Sequence, residues 1–124
     1  MADDRYDDGM RVRREVLGDE HVDRANAAIT AVDADFQRFI TEMAWGSVWT
    51  RDSKLDRRTR SFVTIALLTA LRQERELAMH IGAARRNGLT PAEIAEVIMH
   101  TAVYAGIPAA NAAIAVAKDV LADP

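Results

Sequence analysis

Two pairs of acidic and imidazole side chains are spaced four residues apart, the separation that makes side chains neighbours on an α-helix. The stretch ELAMHIGAARRNG carries Glu76 and His80, and Glu96 precedes His100 by the same interval. A carboxylate at this distance orients its imidazole partner and raises the pKa of that partner. Each pair is therefore a candidate for proton transfer. The apolar neighbours of His80 predict that the first pair turns toward the apolar side of its helix and that His80 is partly buried.

Both pairs also have a structural interpretation. A histidine among apolar residues is more often a satisfied core or interface residue than a catalytic one. Two such pairs can in principle meet as a metal site of nitrogen and oxygen ligands, but the spacing is too common to indicate one. We therefore predict no metal. His80 is the candidate proton donor with Glu76 as its orienting partner, His100 is a reserve, and His21 has almost no support.

A cluster of basic residues occupies positions 51–60, which hold five of the 16 basic residues of the chain. The common reason for such a cluster is a solvated helix start. Positive charge at a helix N-terminus nevertheless opposes the helix dipole, which indicates another use for some of these residues. Because the arginine fork binds carboxylates through two parallel hydrogen bonds, Arg57, Arg58 and Arg60 are candidates for binding an anionic small molecule.

Two tryptophans, Trp45 and Trp49, lie just before this cluster. They are either core or interface residues, which is the commoner role, or the apolar wall of a ligand site. Cysteine is absent, which removes disulfides, thiolate nucleophiles and thiolate zinc sites. Glycine-rich phosphate motifs and the GxSxG nucleophile motif are absent too, so nothing supports a nucleotide cofactor or a serine nucleophile.

Helices must position these residues, because helical spacing dominates and no stretch alternates long enough to require a strand. We predict an all-α fold with helices over 4–17, 23–31, 33–45, from about 56 to 71, through His80 up to Gly88, 90–105 and 108–121. Thr90 and Glu93 form a predicted capping box with Pro91 at the first helical position. The helix after Arg60 is apolar nearly all round and must be central, or sealed by another subunit.

Length and composition indicate one soluble domain over residues 1–124, with 49% hydrophobic and 28% charged residues. A net charge of -3 argues against nucleic-acid binding. The longest strongly apolar run, residues 62–71, is too short to cross a bilayer. The acidic N-terminus is not a signal peptide. We expect a cytoplasmic protein that contacts neither nucleic acid nor membrane.

Four segments together resemble the 4-carboxymuconolactone decarboxylase family, within the AhpD-like superfamily. They read RYDDGMRVRREVLGDEHVDRA, AWGSVWTR, DRRTRSFVTIALLTAL and ELAMHIGAARRNGLTPAEIAEVIMHTAVYAGIPAAN. They cover nearly the whole chain from Arg5 to about Leu121. The N-terminal run is typical of the decarboxylase branch, whereas the C-terminal half fits many members of the superfamily.

The resemblance implies an AhpD-like bundle of about six helices that forms a homo-oligomer, usually a hexamer. It implies conversion of 4-carboxymuconolactone to 3-oxoadipate enol-lactone with release of CO2 and no cofactor, in the protocatechuate branch of the β-ketoadipate pathway. The sister branch of thiol peroxidases needs a CxxC pair that this chain lacks. Two residues depart from the pattern. Ala105 replaces a cysteine of many relatives, and Ser61 stands where much of the superfamily carries a glutamate, for which Glu76 is the predicted substitute.

A site for this reaction must hold two carboxylates, stabilise a developing oxyanion and deliver a proton to carbon. The substrate itself accepts the electrons, because its scissile carboxylate is conjugated through a double bond to a lactone carbonyl. The predicted proton donor is His80, oriented by Glu76, and the predicted partners of the retained carboxylate are Arg60 with Arg57 or Arg58. Trp45 and Trp49 could supply the apolar surface that the scissile carboxylate faces. His100 and Tyr104 are reserves for oxyanion stabilisation.

Two other functions stay open from the sequence. One is a non-catalytic small-molecule-binding or assembly protein on the same helical scaffold. The other is a decarboxylase of another β-keto or vinylogous acid, since the C-terminal half alone does not fix the substrate.

Overall fold

The computed structural model describes residues 2–122, and these form seven α-helices without a strand. The helices are α1 Ala2–Leu17, α2 Asp19–Ala27, α3 Ala34–Ile40, α4 Arg57–Ala70, α5 Glu74–Arg86, α6 Pro91–Ala105 and α7 Ile107–Leu121. The predicted all-α fold is confirmed. The described residues form the seven helices that helical spacing predicts, rather than the about six that the family resemblance implies. No helix in the described part is long and apolar enough to cross a membrane.

The chain divides after Arg57 into two compact units, called unit 1 and unit 2 in chain order. In unit 1, α1 packs against α2 and against a π-helical turn, Thr41–Trp45, that directly continues α3. The helix predicted over 33–45 therefore exists, but its last turn is wider than an α-helix. Such π turns are rare and often occur at functional sites.

A close backbone contact fixes α1 against this π turn. A Cβ atom at Gly9 would lie 2.9 Å from the amide nitrogen of Gly46, and closer still to the carbonyl oxygen of Thr41. A Cβ atom at Gly46 would lie 3.2 Å from the carbonyl carbon of Arg5, and closer to its oxygen. Both glycines are therefore required, because the nearest atom in each case is a backbone oxygen that no side-chain rotation can move away.

The core of unit 2 is made of aliphatic residues from four helices and the turn before α6. Its fully buried large side chains are Ile65, Leu77, Ile81, Leu89, Ile94 and Ile98. Helix α7 contributes alanines to this cluster, namely Ala110, Ala113 and Ala117. Small side chains let α7 pack closely on α5 and α6, the two helices that it contacts most.

The helix ends around α6 follow the predicted chemistry. Gly88 has φ 96°, a value that favours glycine. The Thr90 side chain accepts a hydrogen bond from the Glu93 amide at 3.1 Å, and the Glu93 carboxylate accepts one from the Thr90 amide at 2.9 Å. This capping box is confirmed. Gly106, with φ 101°, is the single residue between α6 and α7, so α7 begins one residue before the predicted Pro108.

The predicted bounds of α2 are wrong. The helix begins at Asp19 rather than residue 23 and ends at Ala27 rather than residue 31. Gly18, with φ 94°, separates it from α1 by one residue. Asp19 and Glu20 in the first turn complement the helix dipole, so the helix can begin immediately after that glycine.

Helix α4 is not central in this chain, contrary to one of the two predictions for it. Its buried face consists of Ser61, Ile65 and Thr69, spaced four residues apart. The exposed apolar residues on and just after α4 form a stripe that we call the α4 stripe, namely Val63, Leu67 and Leu71 with 46%, 55% and 63% of their surface accessible. The other prediction, that another subunit covers this helix, stays a prediction.

Candidate active site

The first candidate pair lies on α5, which buries Leu77 and Ile81 in the core of unit 2. His80 lies between them in sequence and is partly buried, as predicted. Glu76 is exposed, so the expectation that both members of the pair turn inward is wrong for Glu76. Its place in the first turn explains this, because a carboxylate there stabilises the helix dipole without burial.

Two of the three candidate arginines already contact carboxylates of the chain. Arg57 lies 2.9 Å from the Glu15 carboxylate and 3.4 Å from that of Asp52. Arg58 forms an ion pair with Glu93 and places its guanidinium carbon 5.1 Å from the centre of the Phe62 ring. A substrate carboxylate at either arginine would therefore compete with, or share the guanidinium with, the present partner.

The Glu93 carboxylate therefore has two partners. One oxygen accepts the capping hydrogen bond from the Thr90 amide, and the other meets Arg58. The hydrogen bond from the Thr90 amide, followed by the one from Arg58, lowers the pKa of Glu93. The carboxylate links the first turn of α4 to the start of α6.

Arg60 is partly buried, and the residue after it contributes to structure within unit 2. The Ser61 hydroxyl is buried and accepts a hydrogen bond from the Asn87 side chain at 3.1 Å. At this position, where the resemblance led us to expect a glutamate in many relatives, the serine joins α4 to the end of α5. Glu76, the predicted substitute, lies on the exposed side of α5.

The two tryptophans are buried in unit 1. Trp45 and Trp49 expose 5% and 8% of their surface, and their ring centres lie 5.1 Å apart at an interplanar angle of 33°. This geometry fits the commoner of the two roles predicted for them, as packed core residues. Their service as an apolar wall for a substrate stays a prediction.

The second candidate pair lines an apolar groove of about 540 Å³ between α4 and α6. The groove residues are Phe62, Val63, Ala66, Glu93, Glu96, Val97, His100 and Thr101. The His100 ring lies 5.4 Å from the ring of Tyr104, tilted by 45°, and both residues are exposed. In the sequence, Glu96 is distinguished only by its spacing from His100, and it is not among the predicted site residues. The groove shows that both members of this pair lie beside the same cavity.

The structure brings the candidates of unit 2 together only in part. His100 lies beside Tyr104 and shares the groove with Glu96, whereas His80 is not among the residues that line it. Across residues 2–122, no three histidine or acidic side chains converge in an arrangement that would hold a metal ion. The two Glu-x-x-x-His pairs do not meet in such a group.

Unit 1 contains a buried arginine, Arg13, that is not among the predicted site residues. Arg13 exposes 8% of its surface and donates long hydrogen bonds to the Thr41 hydroxyl at 3.3 Å and the Gln37 side chain at 3.4 Å. Burial lowers the pKa of Arg13, against a smaller opposing effect of Tyr6. Its sequence context, a charged half-helix, gave no sign that one of several arginines would be buried.

The family assignment rests on a comparison with known proteins. The sequence profile of the Carboxymuconolactone decarboxylase family matches residues 34–119. The chain belongs to the carboxymuconolactone decarboxylase family. The resemblance predicted from the sequence segments is thereby confirmed.

Two relatives match this carboxymuconolactone decarboxylase family member over nearly its whole length. A 4-carboxymuconolactone decarboxylase of Acinetobacter baylyi is 50% identical over 119 residues, which make up 96% of this chain and 88% of the relative. A nitrosuccinic acid decarboxylase of Metarhizium robertsii is 40% identical over 118 residues, 95% of this chain and 82% of the relative. A 4-carboxymuconolactone decarboxylase of Pseudomonas putida is 52% identical over 42 residues, 34% of this chain and 88% of that relative.

The family profile includes every predicted site residue from Trp45 to Tyr104 and leaves out the first 33 residues, Arg13 among them. The two long matches leave at most a few residues of this carboxymuconolactone decarboxylase family member uncovered. They therefore extend across α1 and α2. The likeness to these decarboxylases includes the helix that carries Arg13.

Proposed function

We propose that this chain is a cofactor-free decarboxylase that converts 4-carboxymuconolactone to 3-oxoadipate enol-lactone and CO2 during protocatechuate breakdown. The observation that carries the proposal is the 50% identity, over 96% of the chain, to the relative named 4-carboxymuconolactone decarboxylase. A relative named for a second decarboxylation, at 40% identity, supports the same reaction type. A cytoplasmic location stays a prediction.

The proposed reaction needs little from the protein beyond binding and one proton. As the bond to the departing carboxylate breaks, its electron pair moves through the ring double bond to the lactone carbonyl oxygen. A proton then adds to the carbon next to that carbonyl, which gives the enol-lactone. The protein must stabilise the transient oxyanion and supply this proton.

We assign proton delivery to His80, because α5 holds the ring partly buried next to core residues while Glu76 lies one turn away. Arg60, which is partly buried, stays the proposed partner of the retained carboxylate, together with Arg57 or Arg58. Arg58 would take part in competition with its ion pair to Glu93. His100 and Tyr104 stay the reserve candidates for stabilising the oxyanion, since their rings are in contact and His100 lines the apolar groove.

A second candidate substrate is nitrosuccinate, and the 40% identity to a nitrosuccinic acid decarboxylase favours it. In this acid a nitro group sits on the carbon that carries one carboxylate, so the nitro group can accept the electron pair when CO2 leaves. Both acids keep a second carboxylate after the reaction. The same two kinds of side chain, one that binds a carboxylate and one that donates a proton, would therefore serve either substrate.

Release of CO2 from the two acids tests the proposal. We expect the purified chain to turn over freshly generated 4-carboxymuconolactone with a kcat/KM well above that for nitrosuccinate. The reverse order would assign the second substrate. A folded protein that binds the lactone without releasing CO2 would contradict the proposal and support the non-catalytic alternative.

We further propose that the chain acts as a homo-oligomer in which a second copy covers the α4 stripe. A contiguous apolar stripe on a helix is costly in water and usually marks a contact surface. Exposed apolar residues also occur on and near α6, namely Met99, Val103 and Ile107. A hexamer, which the family resemblance implies, is the state we expect.

Leu67→Glu is expected to dissociate the oligomer, because it places a charge at the centre of the stripe, where burial without a partner is unfavourable. Sedimentation velocity, with helical content followed by circular dichroism, measures the change. Val32→Glu is the matched control, since Val32 is 96% exposed in the turn before α3 and its replacement should leave the assembly unchanged. A parent chain that sediments as a monomer at all concentrations contradicts this proposal.

A further inference from the structure

Arg13 is a buried cation without a carboxylate partner among the described residues. It exposes only 8% of its surface, and its two hydrogen bonds go to the neutral side chains of Thr41 and Gln37. A guanidinium has five N–H donors, and the buried Nε of Arg13 has no hydrogen bond. Buried charges in proteins are normally paired, so this arrangement calls for an anion.

Arg13 also lines a cavity of about 310 Å³ within unit 1, which we call the Arg13 cavity. Its other polar lining residues include Tyr6, Asn26 and Gln37, which offer a phenol and two amides. Such side chains can donate hydrogen bonds to a small polar ligand or accept them from it, while the positive guanidinium binds the negative group of the ligand. The apolar part of the wall comes from Met10, Ile29 and Ala34.

The neighbouring charges that the structure describes do not neutralise Arg13. The pKa of His21 is lowered, first by burial and then by the positive charges of Arg13 and Arg24. Arg38 also lines the cavity, but its Nε lies 3.3 Å from the Glu42 carboxylate. The guanidinium carbon of Arg38 lies 4.6 Å from the centre of the Tyr6 ring. The uncompensated charge therefore belongs to Arg13.

We propose that the Arg13 cavity binds a small monocarboxylate, with the Arg13 guanidinium receiving the carboxylate group. Asp35 is part of the cavity wall and disfavours a second negative charge on the ligand. The apolar wall residues favour a compact apolar or aromatic body. This site is independent of the groove and of His80, and it goes beyond the proposed function.

The glycine at position 9 helps to position Arg13 in the cavity. Gly9 precedes Arg13 by one helical turn on α1 and permits the close approach of α1 to the π turn. Thr41, the first residue of that turn, is the hydroxyl that Arg13 reaches. The contact of α1 with the π turn therefore places Arg13 beside neutral partners, so its positive charge can bind a ligand.

Calorimetric titration of the purified chain with two monocarboxylates tests the proposal. 2-Furylacetate has the shape of the proposed reaction product, a choice of probe that rests on the proposed function, and benzoate is an unrelated aromatic acid. Methyl 2-furylacetate lacks the charge and should not bind. Succinate should bind more weakly than 2-furylacetate because of Asp35. A preference for 2-furylacetate would identify a product-shaped ligand, and equal binding of benzoate a general aromatic-acid site; both support the monocarboxylate site.

Arg13→Met is expected to weaken binding of the probes by about 10- to 100-fold, the effect of losing a charge-assisted pair of hydrogen bonds. Arg13→Lys keeps the charge but loses the fork, so its loss should be smaller. Arg11→Met is the matched control on the same helix, because Arg11 is exposed and pairs with Asp8 and Glu15 away from the cavity. This control should bind as the parent does.

A second measurement keeps the test decisive if the Arg13 variants do not fold. The Nε–H resonance of Arg13 in the parent chain should shift on titration with 2-furylacetate. Failure of both acids to bind, or binding without a change at this resonance, overturns the proposal. So does an Arg13→Met variant that alters sedimentation but not probe binding, because Arg13 would then meet a carboxylate of another copy.

Discussion

Replacing His80 with alanine is expected to lower kcat for decarboxylation of 4-carboxymuconolactone by about 10²- to 10⁴-fold, the contribution of a positioned proton donor. Departure of CO2 leaves an electron-rich carbon that must be protonated, and α5 holds the partly buried imidazole in one place for this step. KM should change little, because the arginines rather than the imidazole are proposed to bind the substrate carboxylates.

The change is measured as initial rates of CO2 release, with helical content checked by circular dichroism. His100→Ala is the matched control, since it removes the histidine of the second Glu-x-x-x-His pair and should have the smaller effect. Added imidazole should restore part of the activity of His80→Ala. If His100→Ala is the inactive variant and His80→Ala is not, the proton donor lies at the groove and our assignment is wrong.

Replacing Gly9 with alanine is expected to destabilise unit 1 by about 1–3 kcal/mol, the usual cost of inserting atoms into a packed contact. The added Cβ would lie 2.9 Å from the Gly46 nitrogen and closer to the Thr41 carbonyl oxygen. Both are backbone atoms, so relief requires α1 to move away from the π turn. The better helix propensity of alanine offsets only about 0.5–1 kcal/mol of this loss.

Chemical denaturation followed by circular dichroism measures this effect. Gly82→Ala in α5 is the matched control, because a Cβ at Gly82 meets no atom within 4 Å. The same exchange of glycine for alanine should therefore stabilise the chain there by about 0.5–1 kcal/mol. Opposite signs for the two variants are the expected result, and a Gly9→Ala chain as stable as the parent would contradict the close contact.

Features that depend on neighbouring residues could be predicted from the sequence. Gly88, Thr90 and Glu93 define the turn and the start of α6 by chemistry that operates over a few residues, and the structure has them as expected. The partial burial of His80 followed from its apolar neighbours on the same helix. The family, too, was accessible, because the segments that carry it are continuous in sequence.

Features that depend on packing between helices could not be predicted from the sequence. Arg13 is one of several arginines in a charged segment, and its burial is set by contact of α1 with a π turn about 30 residues later. The exposed face of α4 was equally hidden, since an apolar sequence does not say which of its faces has a partner. The four-residue spacing predicts that Glu76 is a neighbour of His80, but it does not predict whether Glu76 is buried or exposed.

Through the Glu93 carboxylate, acid is expected to weaken contacts at the starts of two helices, α4 and α6. The pKa of this carboxylate is lowered because the Thr90 amide and Arg58 both favour the charged form, so Glu93 stabilises the fold above the pKa of an unfolded glutamate. That contribution is lost as the pH falls through the lowered pKa of the folded chain. A single proton then weakens two contacts together, the hydrogen bond from the Thr90 amide to the Glu93 carboxylate and the ion pair of Glu93 with Arg58, whereas the hydrogen bond from the Glu93 amide to the Thr90 hydroxyl stays.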